Sequence, residues 1–224
     1  MMPNKGFSYP PAFPSYPLPS RLSLPQVILV LAGPAGAGKS TLKEKLIQGP
    51  YGFDKVVTTT CREPRLGKID GKHYHFVTPD GFDALIEQKA FLEWAFVHSP
   101  TKERDRRYGL QSSSIMGPAL AGKSLVLDLN VEGVRNLLIA AQAMPALQRA
   151  LCTVFVNASD EVISQRMAGR QETLDERARR IASAAIERLD MDRYDTRIES
   201  GTPEQDFDEI IAIIHRTRAC AAVF

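Results

Sequence analysis

One run, Val27 to Leu42 (VILVLAGPAGAGKSTL), limits this chain more than any other. An apolar, strand-like stretch gives way to glycines and ends in Lys-Ser at the mouth of a helix. Gly33, Gly38, Lys39 and Ser40 fill the pattern G-x-x-x-x-G-K-[ST]. Glycine permits backbone conformations that a Cβ forbids, so successive N–H groups can turn inward around phosphate oxygens. The helix that follows aims the positive end of its dipole at the same anion. The segment Gly33-Pro34-Ala35-Gly36-Ala37-Gly38-Lys39-Ser40-Thr41 therefore reads as a cradle for a nucleoside triphosphate. In it, Lys39 would reach the β- and γ-phosphates and the Ser40 hydroxyl would hold Mg²⁺. A plain glycine-rich turn between strand and helix is the competing reading, and the flanking strand and helix count against it. The motif does not say what receives the phosphoryl group.

Composition narrows the remaining classes. With 224 residues the chain is of one-domain length, with room for a small inserted lobe. A net charge of +2 excludes a nucleic-acid binder that works by bulk electrostatics. Cys61, Cys152 and Cys220 have neither disulfide-framework nor metal-site spacing, and a reducing, cytoplasmic setting is the expectation. The longest apolar run, Val27 to Ala32, is a strand and far too short to span a bilayer. The terminal Cys220-Ala-Ala-Val-Phe places its cysteine one residue too early for prenylation. Residues 1–25 carry seven of the fifteen prolines and no acidic residue. They read as a disordered extension, with organelle targeting a weaker alternative because arginine is sparse.

The rest of the chain alternates apolar strands with helices, which indicates an α/β fold with a parallel central sheet flanked by helices. Helix is expected over 40–48, 79–88, 111–121, 132–143, 160–168, 173–190 and 203–217, and strand over 55–60, 74–77, 91–97, 124–129, 151–156 and 196–199. Residues 61–73 and 98–107 read as polar loops. The charged helix 173–190 has a modest apolar stripe of Ile181, Ala185 and Leu189. A denser β stretch from Lys55 to Val97 breaks the rhythm and marks a candidate small lobe. Ligands in such folds gather at the carboxyl ends of strands, where Gly33, Asp128 and Asn157 fall.

A second constellation follows the cradle. Arg62 and Arg65 lie three residues apart around Pro64, and paired guanidinium groups can fork onto a phosphate as lysines cannot. Tyr74 and Tyr108 can add hydroxyl donors. A second anion site is what an acceptor carrying its own phosphate needs. Glu93, inside the apolar Phe91-Leu-Glu-Trp94, is a carboxylate that cannot be buried cheaply without a partner. A guanine edge, with a ring N–H beside an exocyclic amine, would suit it; a solvated face of an edge strand is the alternative. Arg166 and Arg170 stand at i and i+4 on one helix face, where cations can stabilise the spread charge of a transferring phosphoryl group.

These segments occur in register. GPAGAGKSTL, then T-T-x-R-x-P-R-x-G with D-G-K-x-Y-x-F-V, then F-L-E-W-A, Y-G and L-D-L-N-V-E-G resemble the guanylate kinases over about Val27 to Ile214. The resemblance implies a phosphate-loop kinase core (26–54, 111–158 and 190–224), a small β-rich acceptor-binding lobe (55–110) and a helical lid (159–189). It implies ATP as donor, Mg²⁺ as cofactor, and GMP or dGMP as acceptor. Arg62, Arg65, Tyr74 and Tyr108 match the ligands of the GMP phosphate, and Thr58 and Glu93 fall where the family reads guanine. Asp128 matches the first acid of a D-x-D beside acceptor and metal, with Asn130 in place of the second. Arg166, Arg170 and Arg180 match the lid arginines, Arg179 being an alternative to Arg180. Lys39, Arg62 and those three would be the catalytic cations, and Ser40 and Asp128 the metal ligands. The implied partners are small nucleotides, with no nucleic acid or membrane; the assembly is open between monomer and homodimer.

The chain departs from the family pattern at Leu110 (usually Thr or Ser), Asn130 (Asp), Lys68 (Glu) and Cys61 (Thr), and around 98–107 and 196–201. Two alternatives follow: a kinase with an altered acceptor, or a guanylate-kinase-like binding module that has lost catalysis. The retained Lys39, Ser40 and lid arginines speak against the second. Cys61 beside Arg62 and Arg65 also suggests a favoured thiolate and an oxidation-sensitive loop.

Overall fold

The computed structural model describes residues 26–96, 106–168 and 174–221. The proline-rich extension, most of the 98–107 loop and Arg170 lie outside them. Nine strands and eight α-helices follow one another within the described residues. They are β1 (Ile28–Ala32), α1 (Lys39–Gln48), β2 (Phe53–Lys55), β3 (Thr59–Thr60), β4 (His75–Phe76), α2 (Pro79–Glu87), β5 (Phe91–Phe96), β6 (Arg107–Gln111), α3 (Ser112–Leu120), β7 (Ser124–Asp128), α4 (Val131–Gln142), α5 (Pro145–Ala150), β8 (Leu151–Asn157), α6 (Asp160–Ala168), α7 (Leu174–Arg188), β9 (Thr196–Glu199) and α8 (Pro203–Ala221). A 3₁₀ turn, Met191–Arg193, precedes β9.

The main sheet is parallel throughout, ordered β2-β7-β1-β8-β9. Both of its faces are covered, which is why β1 reads as an unbroken apolar run and β8 as a mostly apolar one interrupted by Thr153, and not as alternations. Leu29, Leu31, Val154 and Val156 face a core shared with Leu42 and Leu46 of α1 and Ile210, Ile213 and Ile214 of α8. Ile28, Val30 and Phe155 face the opposite core, with Ile115 of α3 and Val134 and Leu137 of α4. The second sheet, β4-β3-β6-β5, is mixed: β3 and β4 are parallel, and β6 is antiparallel to both β3 and β5. Phe82 of α2 stacks on Phe91 at 4.6 Å between ring centroids and packs beside Cys61 beneath this sheet.

The structure differs from the sequence expectation in four places. The strand expected over 55–60 is two strands in two sheets: the Val56 N–H donates to Val126 O of the main sheet at 3.1 Å, whereas Thr59 pairs with Gly109 of the small one. Arg107–Gln111, expected as loop running into helix, is strand β6. Its Arg107 is 4% exposed because the guanidinium pairs with Asp83, donates to Pro79 O at 2.9 Å and lies 4.8 Å over the Phe82 ring. Helix α5, not expected at all, has Pro145 at its first position, where a missing N–H costs nothing. The apolar stripe expected over 173–190 shifts: Ala184 of α7 is buried and Ile181 packs on the core, whereas Leu189, just past the helix, is 82% exposed. Arg188 takes the place expected of Leu189, donating to Asn157 Oδ1 (2.9 Å) and Ala158 O (2.6 Å). Among the described residues no helix is long and apolar enough to cross a membrane.

Candidate functional site

The cradle forms as its glycines require. Gly33, Gly36 and Gly38 have φ of 125°, 90° and 102°, in the region that side chains rarely adopt. At Gly33 the constraint is also steric, since a Cβ would lie 2.2 Å from Val156 O of the neighbouring strand. Lys39 opens α1, and its ammonium bonds Gly33 O and, at 2.8 Å, Pro34 O, so it is folded over the loop it would serve. Ser40 and Thr41 are exposed beside it. Arg166 of α6 reaches the same loop: it donates to Gly36 O (3.1 Å), Ser200 Oγ (3.1 Å) and Gly201 O (3.0 Å). Asp206, 4% exposed, holds the far side of that contact by accepting from Ser200 Oγ at 2.6 Å and Gly201 N at 2.7 Å. Asp206 was not singled out in the sequence; its signal is the spacing Ser200-Gly201…Asp206, a loop closed by the first turn of a helix. Arg180 is half-buried on α7.

The second constellation gathers on the small sheet. The Arg62 guanidinium lies 5.9 Å over the Tyr74 ring, and the Tyr74 and Tyr108 rings meet edge-on at 5.7 Å. Burial, then the Asp128 carboxylate, pushes the Tyr74 hydroxyl up from its ordinary pKa, while Arg62 and Arg65 act in the opposite sense. These contacts join Arg62, Tyr74 and Tyr108, with Asp128 close enough to be felt. Arg65 is exposed on the turn that its carbonyl closes with the Lys68 N–H at 3.0 Å. Thr58 anchors β4 through its carbonyl, which accepts from His75 N at 2.9 Å.

Glu93 is 6% exposed on β5, opposite Leu110 of β6 and just after an irregularity in register. Gly133, in the first turn of α4, makes this possible: a Cβ there would lie 3.0 Å from Glu93 Oε2 and 2.9 Å from Asn130 Oδ1. Asn130 caps α4, its side chain accepting from Gly133 N at 2.9 Å. Desolvation, then the neighbouring Glu132, pushes the Glu93 carboxyl up to about 8 against a backbone hydrogen bond from Leu110. Among the described residues, the Arg62 Nε donor and the Glu93 Oε2 acceptor near this sheet are buried with no hydrogen-bond partner. Such atoms are costly to leave unmet and point to a ligand that meets them. Leu110, by contrast, is fully buried among Leu92, Ile115 and their neighbours, so its apolar side chain serves the core. Cys61 is likewise core, 4% exposed, its thiol 3.8 Å from Arg107 O and packed by Phe82 and Phe91. That placement removes the exposure an oxidation-sensitive thiolate would need.

Asp128 ends β7, level with Leu31 of β1 and so beside the cradle. It pairs with Lys43 of α1, a residue the sequence motif does not include. Among the described residues no group of three His, Cys, Asp or Glu is gathered for a metal. One hydroxyl, Ser40, and one carboxylate, Asp128, nevertheless fit a hard cation that keeps its waters and takes phosphate oxygens.

Known proteins share this fold. The family model "Guanylate kinase" matches residues 26–217. The chain is 33% identical over 190 residues to a guanylate kinase of Nitratidesulfovibrio vulgaris, covering 83% of this chain and 84% of that one. It is 33% identical over 198 residues to a guanylate kinase of Anaeromyxobacter dehalogenans, covering 87% and 82%. The crystal structure of guanylate kinase from Anaplasma phagocytophilum superposes with a TM-score of 0.66 at 25% identity, covering 86% of each chain. With a family model that spans most of the chain and a fold that superposes on a solved guanylate kinase, this protein belongs to the guanylate kinase family.

Proposed function

We propose that this protein transfers the γ-phosphoryl group of ATP to GMP or dGMP. One observation carries the acceptor assignment. Among the described residues, the small lobe holds two unmet buried atoms of opposite sense, a guanidinium donor at Arg62 and a carboxylate acceptor at Glu93. GMP offers an anion at one end and, at the other, two adjacent N–H donors. The acceptor phosphate is held by Arg62, Arg65, Tyr74 and Tyr108, and the guanine edge by Glu93 with Thr58 near the pocket. Cytosine and uracil lack that donor pair, and adenine offers one exocyclic amine beside an acceptor nitrogen.

On the donor side, residues 33–41 wrap the triphosphate and Lys39 swings from its own loop carbonyls to the phosphates. Arg166, with Arg170 and Arg180, supplies cations where charge spreads over the equatorial oxygens. Mg²⁺, held by Ser40 and Asp128, would neutralise the donor β- and γ-oxygens when bound. No protein nucleophile is required, because alignment of two bound nucleotides and fixed positive charge supply the rate. A binding module without catalysis would have no use for Lys39 and Arg166 at one phosphate loop, and this chain brings both there. The test is product identification: ATP, GMP and Mg²⁺ incubated with the protein yield GDP and ADP in equal amounts by chromatography. ADP formed without GDP would contradict the reading.

A further inference from the structure

The phosphate-loop motif ends at Ser40 and Thr41, and nothing in it concerns the next turn of α1. There stands Lys43, at i+4 from Lys39 and therefore on the same face of the helix. Its ammonium pairs with Asp128 Oδ1. Lys43 is the more buried partner, its side chain 14% exposed against 36% for Asp128. The cation is thus supplied from beneath while the carboxylate remains open to the site.

Asp128 occupies an exacting position. On one side β7 runs level with β1, so Asp128 is level with Leu31, two residues before Gly33 of the cradle. On the other side its charge reaches Tyr74, which packs against Arg62 and Tyr108. The acceptor's phosphate is an anion, and a bare carboxylate on its side of the site would repel it. Lys55 adds a second cation near the pair, its own proton affinity lowered by burial and by Lys43 and raised by Asp128.

We propose that Lys43 is a positioning residue of the acceptor site: it fixes the Asp128 carboxylate and cancels its charge, so that the acceptor's phosphate can settle beside it. This rests on the acceptor assignment above. A plain structural tie between α1 and β7 is the alternative, and it would act on fold stability without distinguishing the two nucleotides.

The experiment measures GMP and ATP binding separately by titration calorimetry, without Mg²⁺ and without turnover, on the full chain. Lys43→Met weakens GMP binding about tenfold and leaves ATP binding within about twofold; Lys43→Arg restores GMP binding to within about threefold, because any cation at that place suffices. In an Asp128→Asn background, Lys43→Met changes GMP affinity less than about twofold, since no charge remains to cancel. GMP affinity unmoved by Lys43→Met, an equal loss in the Asp128→Asn background, or GMP and ATP affinity falling together would each overturn the proposal. Tight GMP binding by the unsubstituted protein with an inert Lys43→Met would sink this inference alone. Absence of GMP binding by the unsubstituted protein would remove the acceptor assignment and this inference with it.

Discussion

Glu93→Gln lowers kcat/KM for GMP by about 10²- to 10³-fold and, in the same molecule, raises the stability of the nucleotide-free protein. The loss follows from chemistry: an amide can accept one guanine N–H but presents its own N–H₂ to the other, leaving buried donors facing each other. The gain follows from burial. In the unfolded chain the carboxyl titrates at its ordinary 4.5, and in the folded protein desolvation raises it to about 8. Between those values the native state binds more protons than the unfolded one, so stability is full below about pH 4.5 and drains away as pH rises through 8. Glutamine does not titrate. At pH 8.5 the variant should melt about 3–10 °C higher than the parent protein, for about 1–3 kcal/mol regained; near pH 4.5 the two should converge. Thermal melts at the two pH values check this. Equal melting at pH 8.5 would mean that Glu93 is not held in a desolvated site. The same titration makes GMP bind better as pH rises toward 8, because the guanine donors require the charged carboxylate.

Lys39→Ala abolishes most turnover, lowering kcat at least about 10²- to 10³-fold, with little effect on the melting temperature. In the nucleotide-free protein Lys39 is bonded to the carbonyls of Gly33 and Pro34, part-buried contacts within its own loop. Its larger contribution is expected when charge develops on the transferring group, so kcat should fall more than the affinity for ATP. A coupled ADP assay beside an ATP titration separates the two. Turnover indifferent to Lys39 would contradict a catalytic cradle.

The part of the site carried by short motifs was legible because each motif is local. Glycines at 33, 36 and 38 announce positive φ, and a carboxylate amid Phe91, Leu92 and Trp94 announces a burial problem that leaves Glu93 Oε2 unmet among the described residues. What the sequence hid was non-local. Strand β6 begins with an arginine and contains a glycine, so nothing in its own residues calls for a strand; β3 and β5 on either side create it, and Asp83 twenty-four residues away lets Arg107 be buried. Lys43 carries no local signal of a site residue; it is β7 that brings Asp128 to it. Leu110 reads as a damaged polar contact until its side chain is found among Leu92 and Ile115. Asn130, placed by the resemblance at the acceptor nucleotide, has its Oδ1 engaged by Gly133 N as a helix cap. In each case a partner distant in sequence decides the role of a side chain whose type was already plain.

The central claim is that a buried carboxylate on the small lobe selects guanine. The most direct measurement is kcat/KM, with saturating ATP and Mg²⁺, for GMP, IMP, AMP, UMP and CMP. IMP keeps the ring N–H and lacks the exocyclic amine, so it isolates one of the two donors. The expected order is GMP first, IMP lower by about 10- to 100-fold, and AMP, UMP and CMP lower by about 10³-fold or more. AMP, UMP or CMP phosphorylated as fast as GMP, or IMP equal to GMP, would contradict the claim.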